Sequence, residues 1–343
     1  MGLSATGQLQ ASGHVFFVFI HRAIHFLCLP LHYNRNYRDY RYCRNCQEQF
    51  AMPDHFTTLR TALQACYPAG EASAIARWVL AEAFGISQTD IYMGKDIQLS
   101  EKDEQKFENI LHRLCNYEPV QYVLGYAWFC GKLFEVAPGV LIPRPETEEL
   151  VELMVREHSV APTRVLDIGT GSGCIPIMLA HHWPMSHVEG WDVSPEALAI
   201  AQRNNEAHGT GVHFSRHDIL SPCSLPQDGG FDLIVSNPPY IKQCERGQME
   251  RNVLDWEPEL ALFVPDDDPL LFYRTIVRKA VDGLLNPGGT LYFEINREHG
   301  AETVSLLEDA GFVQVELLKD LSGNERIVKG CFAMSQKNNA LIL

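Results

Sequence analysis

The chain has 343 residues, a formal net charge of −15 and ten cysteines. Its length is sufficient for one large domain and a smaller one. The first 51 residues contain five arginines against two acidic side chains, so the rest of the chain carries −18. Nucleic-acid phosphates require a basic surface, and this charge therefore argues against a direct DNA or RNA partner. The cysteines show no disulfide framework, which favours reduced thiols and a cytoplasmic location.

Residues 1–51 differ in composition from the rest of the chain. An apolar stretch at residues 15–31 contains Arg22 and is interrupted and flanked by histidines. It is too broken for a transmembrane helix, and we expect no membrane association. Four interpretations stay open: a start assigned too far upstream, a transit peptide, a signal anchor or a small added element. Cys43 and Cys46 have the spacing of half a zinc site, but no second close pair follows, so we expect no metal.

The pattern from residue 52 to residue 116 is helical. Phe107, Ile110 and Leu114 recur at helical spacing and form one apolar face. We interpret this face as the packing surface of a small helical bundle, which is a commoner reason for such a stripe than a cofactor site. Residues 117–142 are rich in aromatic side chains and are expected to form strands that link the bundle to a sheet.

A strand, a turn and a helix start are predicted around three glycines, Gly169, Gly171 and Gly173. Glycines let the backbone approach a ligand closely, and the following helix N-terminus offers free N–H groups. A dinucleotide fingerprint would have its third glycine one position later, at Cys174, so the spacing disfavours NAD. The acid before the turn, Asp167, suits an amino-bearing ligand better than a pyrophosphate.

Two further carboxylates follow predicted strands. A second strand, at residues 188–192, ends at Asp192, roughly twenty residues after the turn, where doubly wound nucleotide sites place an acid for the ribose hydroxyls. A helix N-cap is the alternative role for this side chain. A third strand, at residues 212–215, is followed by His217 and Asp218, where an adenine edge would lie. These features together describe a pocket for S-adenosyl-L-methionine, assigned to Asp167, Gly169, Thr170, Gly171, Ser172, Gly173, Asp192, Asp218, Ile219 and Asn237.

A stiff polar turn, Asn237, Pro238, Pro239 and Tyr240, comes directly after the apolar run at residues 231–235. The prolines have fixed φ and no N–H, so the turn presents carbonyl oxygens without competing donors. The Asn237 side-chain oxygen and the Pro238 carbonyl can accept the two hydrogens of an –NH2 group, and Tyr240 offers a flat face. A lone Asn-Pro would only cap a turn, but this combination points to chemistry on a poorly nucleophilic nitrogen.

Beyond the turn, helices and strands continue to alternate. This alternation predicts an α/β, Rossmann-like and mostly parallel sheet, closed by an antiparallel edge pair, with ligands beyond the carboxyl ends of the strands. The predicted elements are a helix at 270–285, a turn at 286–289, a strand at 290–295, a helix at 300–310 and strands at 312–318 and 326–332.

Four segments carry a resemblance to a known family: residues 118–125, residues 134–148, the turn at residues 237–240 and residues 323–326. In this order they resemble class I S-adenosylmethionine-dependent methyltransferases and, more specifically, the release factor glutamine methyltransferase family (HemK/PrmC). The resemblance runs from about residue 52 to about residue 332. It implies transfer of a methyl group to the side-chain amide nitrogen (N5) of the glutamine in the Gly-Gly-Gln motif of peptide chain release factors.

The resemblance also implies an organisation of the chain. Because it begins at Met52, this residue is favoured as the true start, and the helical segment is expected to bind the protein substrate. We expect a monomer. The expected parts are an extension at 1–51, a helical substrate-binding domain at 52–116, a β linker at 117–142, a methyltransferase domain at 143–334 and a tail at 335–343.

Roles within the site follow from the turn and from residues 134–148. Arg144 and Glu146 order a loop over the pocket or only cap the next helix, where Pro145 fits the first position. The residues expected to act in catalysis are Asn237, Pro238 and Tyr240; those expected to bind substrate are Asn237, Pro238, Pro239, Tyr240, Arg144 and Glu146.

Three alternatives stay open. An adenine in DNA or a guanine in ribosomal RNA presents an amino group that fits the same turn, but base extrusion requires a basic surface that this acidic chain lacks. Another protein could supply the glutamine. A catalytically silent relative could bind release factors without methylating them, and binding of S-adenosyl-L-methionine would separate that case.

Overall fold

The computed structural model describes residues 54–93, 98–222 and 229–333. The extension at 1–51, with Cys43 and Cys46, and the tail at 335–343 lie outside these residues. Two compact units are separated between Leu111 and His112. Within the described ranges, no helix has both the length and the apolar character needed to cross a membrane.

The first unit is helical, as predicted. Asp54 accepts a hydrogen bond from the Thr57 N–H and caps the first helix, and Ser100 caps the last by accepting from the Asp103 N–H. Leu59, Leu63, Leu80 and Phe107 are among its buried side chains. The helices are α1 (His55–Leu63), α2 (Ala69–Phe84), α3 (Gln88–Tyr92) and α4 (Glu101–Cys115), the last of which continues into the second unit.

The second unit alternates strands and helices. The strands are β1 (Tyr126–Phe129), β2 (Lys132–Glu135), β3 (Arg164–Ile168), β4 (His187–Asp192), β5 (His213–Arg216), β6 (Phe231–Ser236), β7 (Ile241–Lys242), β8 (Phe263–Val264), β9 (Leu285–Glu294), β10 (Phe312–Lys319) and β11 (Glu325–Phe332). The α-helices are α5 (Val120–Leu124), α6 (Pro145–Glu157), α7 (Cys174–His182), α8 (Pro195–His208), α9 (Arg251–Leu254), α10 (Glu259–Leu262), α11 (Leu271–Lys279) and α12 (Gly300–Asp309).

Seven strands form one sheet in the order β10-β11-β9-β6-β3-β4-β5. The pairs from β9 to β5 are parallel, while β11 runs antiparallel to both β9 and β10. The predicted Rossmann-like sheet with its antiparallel edge is therefore confirmed. Its strand order reverses beside β3, and such a switch point is where ligands bind in open α/β sheets.

The central strands are apolar because helices cover both faces of the sheet. One core cluster includes Leu150 and Met154 of α6, and it also contains Trp183. A second cluster includes Tyr273 of α11 and Leu307 of α12.

Two elements differ from the sequence-based expectation. The predicted turn at 286–289 lies inside β9, where Leu285 pairs with Phe231 and Thr290 pairs with Leu233, so the intervening residues bulge out of one strand. Its register is interrupted because four residues on β9 face only one on β6. Residues 117–142 are not only strands: the helix α5 precedes the β1–β2 hairpin and ends at a left-handed glycine.

The absence of a side chain at Gly190 is required by the packing of β4. A Cβ atom there would lie 2.6 Å from the Phe214 ring and 2.8 Å from Thr170 Oγ1. We therefore expect Gly190→Ala to lower the free energy of unfolding by about 1–3 kcal/mol, measured by urea denaturation. Gly211→Ala is the control, because a Cβ there meets nothing within 4 Å. Equal free energies of unfolding for the two variants would contradict this assignment.

Candidate functional site

Strand register brings the candidate residues together. Ile168 at the end of β3 pairs with Ser236 of β6 and with Trp191 of β4. The Ser236 hydroxyl donates to the Ile168 carbonyl at 2.7 Å, which locks the two strand ends. Asp192, the last residue of β4, and Asn237, the residue directly after β6, therefore lie at the same edge of the sheet.

A cavity of about 530 Å³ opens at this edge, and we call it the strand-end cavity. Besides the strand ends, the loop before α6 and residues 258–261 contribute to its wall. Of the residues expected to bind the cofactor, six line it: Gly169, Gly171, Asp192, Asp218, Ile219 and Asn237.

The glycine turn forms an open cradle at the cavity. Gly169 and Gly171 have φ values of +78° and +54°, a conformation that favours glycine. A Cβ at Gly171 would meet no protein atom within 4 Å, so this backbone is free to approach a ligand.

Asp192 is held by backbone donors on both sides. Its Oδ2 atom accepts from the Gly171 N–H and its Oδ1 atom from the Ser194 N–H, each at 2.9 Å. Burial raises the pKa of this carboxyl above its ordinary value. The side chain is fixed, and each oxygen retains a lone pair for a further donor. Ser194, which accepts from the Ala197 N–H, is the N-cap of α8, so the N-cap alternative for Asp192 is wrong.

Four residues predicted around the turn lie outside the cavity wall. Thr170 and Ser172 are buried, and a Cβ at Gly173 would lie 3.0 Å from the Phe214 ring, so the missing side chain serves helix packing. Asp167 is completely buried. Neither of its oxygens finds a hydrogen-bond partner among the described residues, and burial raises its pKa to about 7.

The cavity has an aromatic wall, of which the sequence-based assignment missed Trp191. Trp191 and His217 stack with ring centroids 4.1 Å apart, and both line the cavity. The only signal for Trp191 was an aromatic residue directly before Asp192. Asp218 lines the same region, where hydrogen bonds from the Ser221 hydroxyl and backbone lower its pKa.

A second, smaller cavity of about 110 Å³ lies on the other side of Asn237 and is here called the amide cavity. Asn237 lines both cavities. Pro238 and Pro239 face only the strand-end cavity, whereas Tyr240 faces only the amide cavity. The structure thus divides the turn between two compartments, and Asn237 is the residue of the turn that lies at their border, together with Leu141 and Ala261 from neighbouring segments.

The loop before α6 contributes Arg144 to the amide cavity. Its guanidinium donates to Glu257 Oε1 at 2.6 Å, and Glu257 Oε2 accepts from the Ile142 N–H at 3.2 Å. The Glu257 side chain is only 1% exposed, so this ion pair fixes the loop. Pro145 occupies the first turn of α6, as predicted, and Glu146 in the same turn lines neither cavity.

Residues 323–326, for which the sequence offered no physical role, form the turn into β11. Asp320 accepts from the Asn324 N–H at 2.8 Å and from Arg326 Nε at 3.3 Å. Arg326 Nη1 also donates to the Ile295 carbonyl, directly after β9. The segment therefore places a guanidinium beside Glu294, a buried carboxylate of the amide cavity that sequence reasoning missed.

Known families and relatives match this chain over most of its length. Family models match as the Methyltransferase small domain over residues 145–254 and as the PrmC N-terminal domain over residues 57–125. A protein of Bacteroides thetaiotaomicron named release factor glutamine methyltransferase is 51% identical over 270 residues, which are 79% of this chain and 96% of the relative. A protein of the same name from Flavobacterium psychrophilum is 44% identical over 257 residues, covering 74% of this chain and 89% of the relative.

Proposed function

The chain belongs to the release factor glutamine methyltransferase family, and we propose that its two cavities are the methyl-donor and methyl-acceptor sites of that enzyme. It methylates the side-chain amide nitrogen (N5) of a glutamine in peptide chain release factors, with S-adenosyl-L-methionine as the cofactor. The glutamine of the Gly-Gly-Gln motif is the proposed acceptor. The observation that carries the proposal is the position of Asn237 on the border between the two cavities.

The strand-end cavity fits S-adenosyl-L-methionine, which supplies a methyl group on a sulfonium centre. The open backbone at Gly169 and Gly171 can approach the amino-acid portion of the cofactor. Asp192, held by two backbone donors, retains lone pairs for the ribose hydroxyls. Trp191 and His217 provide flat walls for an adenine. Asp167, buried without a hydrogen-bond partner among the described residues, gives the turn an acidic floor.

The amide cavity suits the reacting glutamine side chain. The Asn237 Oδ1 atom and the Pro238 carbonyl are acceptors that no described residue occupies with a hydrogen bond. Pro238 lines the strand-end cavity, so the two acceptors can share an –NH2 group that lies at the border between the cavities, while Tyr240 forms a wall of the amide cavity. Arg144, fixed by Glu257, orders the loop over this cavity.

The chemical difficulty is that an amide nitrogen shares its lone pair with the carbonyl. Holding both reactants in line converts a bimolecular reaction into an effectively unimolecular one, worth up to roughly 7–11 kcal/mol. Hydrogen bonds to Asn237 and Pro238 strengthen as positive charge develops on nitrogen, so they stabilise the transition state more than the ground state. The methylated nitrogen is acidic and loses its proton afterwards, and no base is required before transfer.

The partner and the cellular setting are also proposals. The helical segment at 52–116 would bind the release factor at positions remote from the reacting glutamine, since contacts remote from the chemistry supply binding energy. An acidic chain disfavours nucleic acid as the substrate. We propose a cytoplasmic monomer; the cytoplasmic setting is supported by the free thiols of Cys130, Cys174, Cys244 and Cys331, which suit a reducing compartment.

The direct test is mass spectrometry of a purified release factor after incubation with the enzyme and S-adenosyl-L-methionine. We expect one added methyl on the glutamine of Gly-Gly-Gln and none on a Gly-Gly-Ala variant. Cofactor binding without transfer to the release factor would instead indicate a different acceptor or a catalytically silent protein.

Asn237→Ala tests the acceptor role. We expect the rate of methyl transfer to fall by about a hundredfold or more, because the transition state loses a fixed acceptor. Cofactor affinity, measured by calorimetry, should stay within about threefold. Asn252→Ala is the control, since Asn252 lines neither cavity. An equal loss of affinity and of rate would contradict the role assigned to Asn237.

Asp192→Ala tests the donor role and should have the opposite pattern. We expect cofactor affinity to fall by about tenfold or more, while the rate at saturating cofactor changes less. Asp282→Ala, an exposed acid outside both cavities, is the control. An effect confined to the rate at saturating cofactor would show that Asp192 does not bind the cofactor.

A further inference from the structure

A buried carboxylate stands behind the amide cavity without a role in the chemistry described so far. Glu294, at the end of β9, is 2% exposed and lines this cavity. Two arginines act on its charge, but each forms its ion pair elsewhere, Arg326 with Asp320 and Arg144 with Glu257. Burying a carboxylate is costly unless something is gained from its position.

Glu294 is connected to Asn237 through one hydroxyl group. The Thr147 hydroxyl, buried in the first turn of α6, donates to Glu294 Oε2 at 2.6 Å. The same oxygen accepts from Asn237 Nδ2 at 3.4 Å. The chain of hydrogen bonds therefore runs from the amide through the hydroxyl to the carboxylate.

This series of hydrogen bonds determines which end of the Asn237 side-chain amide faces the substrate. A hydroxyl has one hydrogen, and an ionised carboxylate can only accept, so the Thr147 hydrogen is committed to Glu294. The Thr147 oxygen can then only accept, and it selects the –NH2 end of Asn237. The Oδ1 atom is left without a hydrogen-bond partner in the described part of the chain.

The opposite orientation would not support the reaction. If Glu294 carried a proton, the Thr147 hydroxyl would be free to donate to Asn237 Oδ1. If the hydroxyl were absent, nothing would select the –NH2 end of Asn237 at this position. The –NH2 group of Asn237 would then face the –NH2 group of the substrate glutamine, which is the group to be methylated. Two donors facing each other form no hydrogen bond and leave the reacting nitrogen unheld.

We propose that Thr147 and Glu294 are positioning residues that fix the polarity of the Asn237 side-chain amide, so that its oxygen faces the nitrogen to be methylated. The inference rests on the proposed function, because it assumes an –NH2 acceptor in the amide cavity. It adds two residues, from α6 and β9, that act on the reaction through Asn237.

The protonation of Glu294 makes this polarity dependent on pH. Burial raises its pKa to about 7, an effect that the Thr147 hydrogen bond and the two arginines only partly offset. The ionised form, which orients the amide for reaction, therefore predominates above about pH 7. The charged and titratable groups that face Glu294 are Arg326 of β11, Arg144 and Glu146 at the start of α6, Tyr240 of the turn and Tyr273 of α11.

Two substitutions at Thr147 test the proposal in the full-length enzyme with a release factor as substrate. Valine has the shape of threonine without its donor and acceptor, whereas serine keeps the hydroxyl. We expect kcat of Thr147→Val to fall about tenfold or more at saturating cofactor, and Thr147→Ser to recover most of that loss. The KM for the cofactor should not show a loss in Thr147→Val that Thr147→Ser recovers.

The pH profile separates positioning from simple structural support. For the unmodified enzyme and for Thr147→Ser, kcat at saturating cofactor should rise with pH through a midpoint near pH 7 and then level off. For Thr147→Val this rise should disappear. Equal kcat values for the valine and serine variants, or an unchanged rise in the valine variant, would overturn the proposal.

A measurement without substrate keeps this test independent of the proposed function and of variant folding. The side-chain amide signals of Asn237, assigned in ¹⁵N-labelled enzyme by their loss in Asn237→Ala, should titrate with a midpoint near pH 7. Signals that do not change between about pH 6 and pH 8 would overturn the role of Glu294. If the amide titrates but no release factor is methylated, the proposed function fails and the amide polarity stands.

Discussion

The parallel register of three neighbouring strands is the constraint on which the site depends. Because Ile168 of β3 pairs with Ser236 on one side and with Trp191 on the other, the residues that come next in the chain after Ser236 and Trp191 lie at the same edge of the sheet. Those residues are Asn237 and Asp192. A slip of one residue would turn each of these side chains to the opposite face of the sheet. The donor and acceptor halves of the site thus depend on the backbone hydrogen bonds between β3, β4 and β6, which are made before Asp192 and Asn237 in the chain.

Both halves of the site retain a buried carboxyl whose pKa is about 7: Asp167 below the glycine turn and Glu294 behind the amide cavity. A carboxyl whose pKa rises on folding contributes stability below its unfolded-state pKa. That contribution is lost as the pH rises through about 7. At neutral pH these side chains therefore weaken the fold, which is expected of groups retained for function.

The sequence predicted the sheet, its antiparallel edge and most of the strand-end cavity because those features follow from short-range patterns. Apolar runs bounded by turns indicate the strands, and the two prolines after Asn237 indicate the turn that begins there. Thr147 and Glu294 could not be found in this way. They are 147 residues apart, and only the packing of α6 against the end of β9 brings them within 2.6 Å. The bulge at residues 286–289 was missed because a Pro-Gly-Gly sequence is also typical of a turn.

The most direct test of the whole arrangement is a crystal structure of the enzyme with S-adenosyl-L-homocysteine and a Gly-Gly-Gln peptide. We expect the cofactor product in the strand-end cavity and the glutamine side chain in the amide cavity, with its amide nitrogen at the border between the two. The amide nitrogen should lie within hydrogen-bond distance of Asn237 Oδ1 and of the Pro238 carbonyl. A glutamine side chain bound elsewhere, or one facing the Nδ2 atom of Asn237, would contradict it.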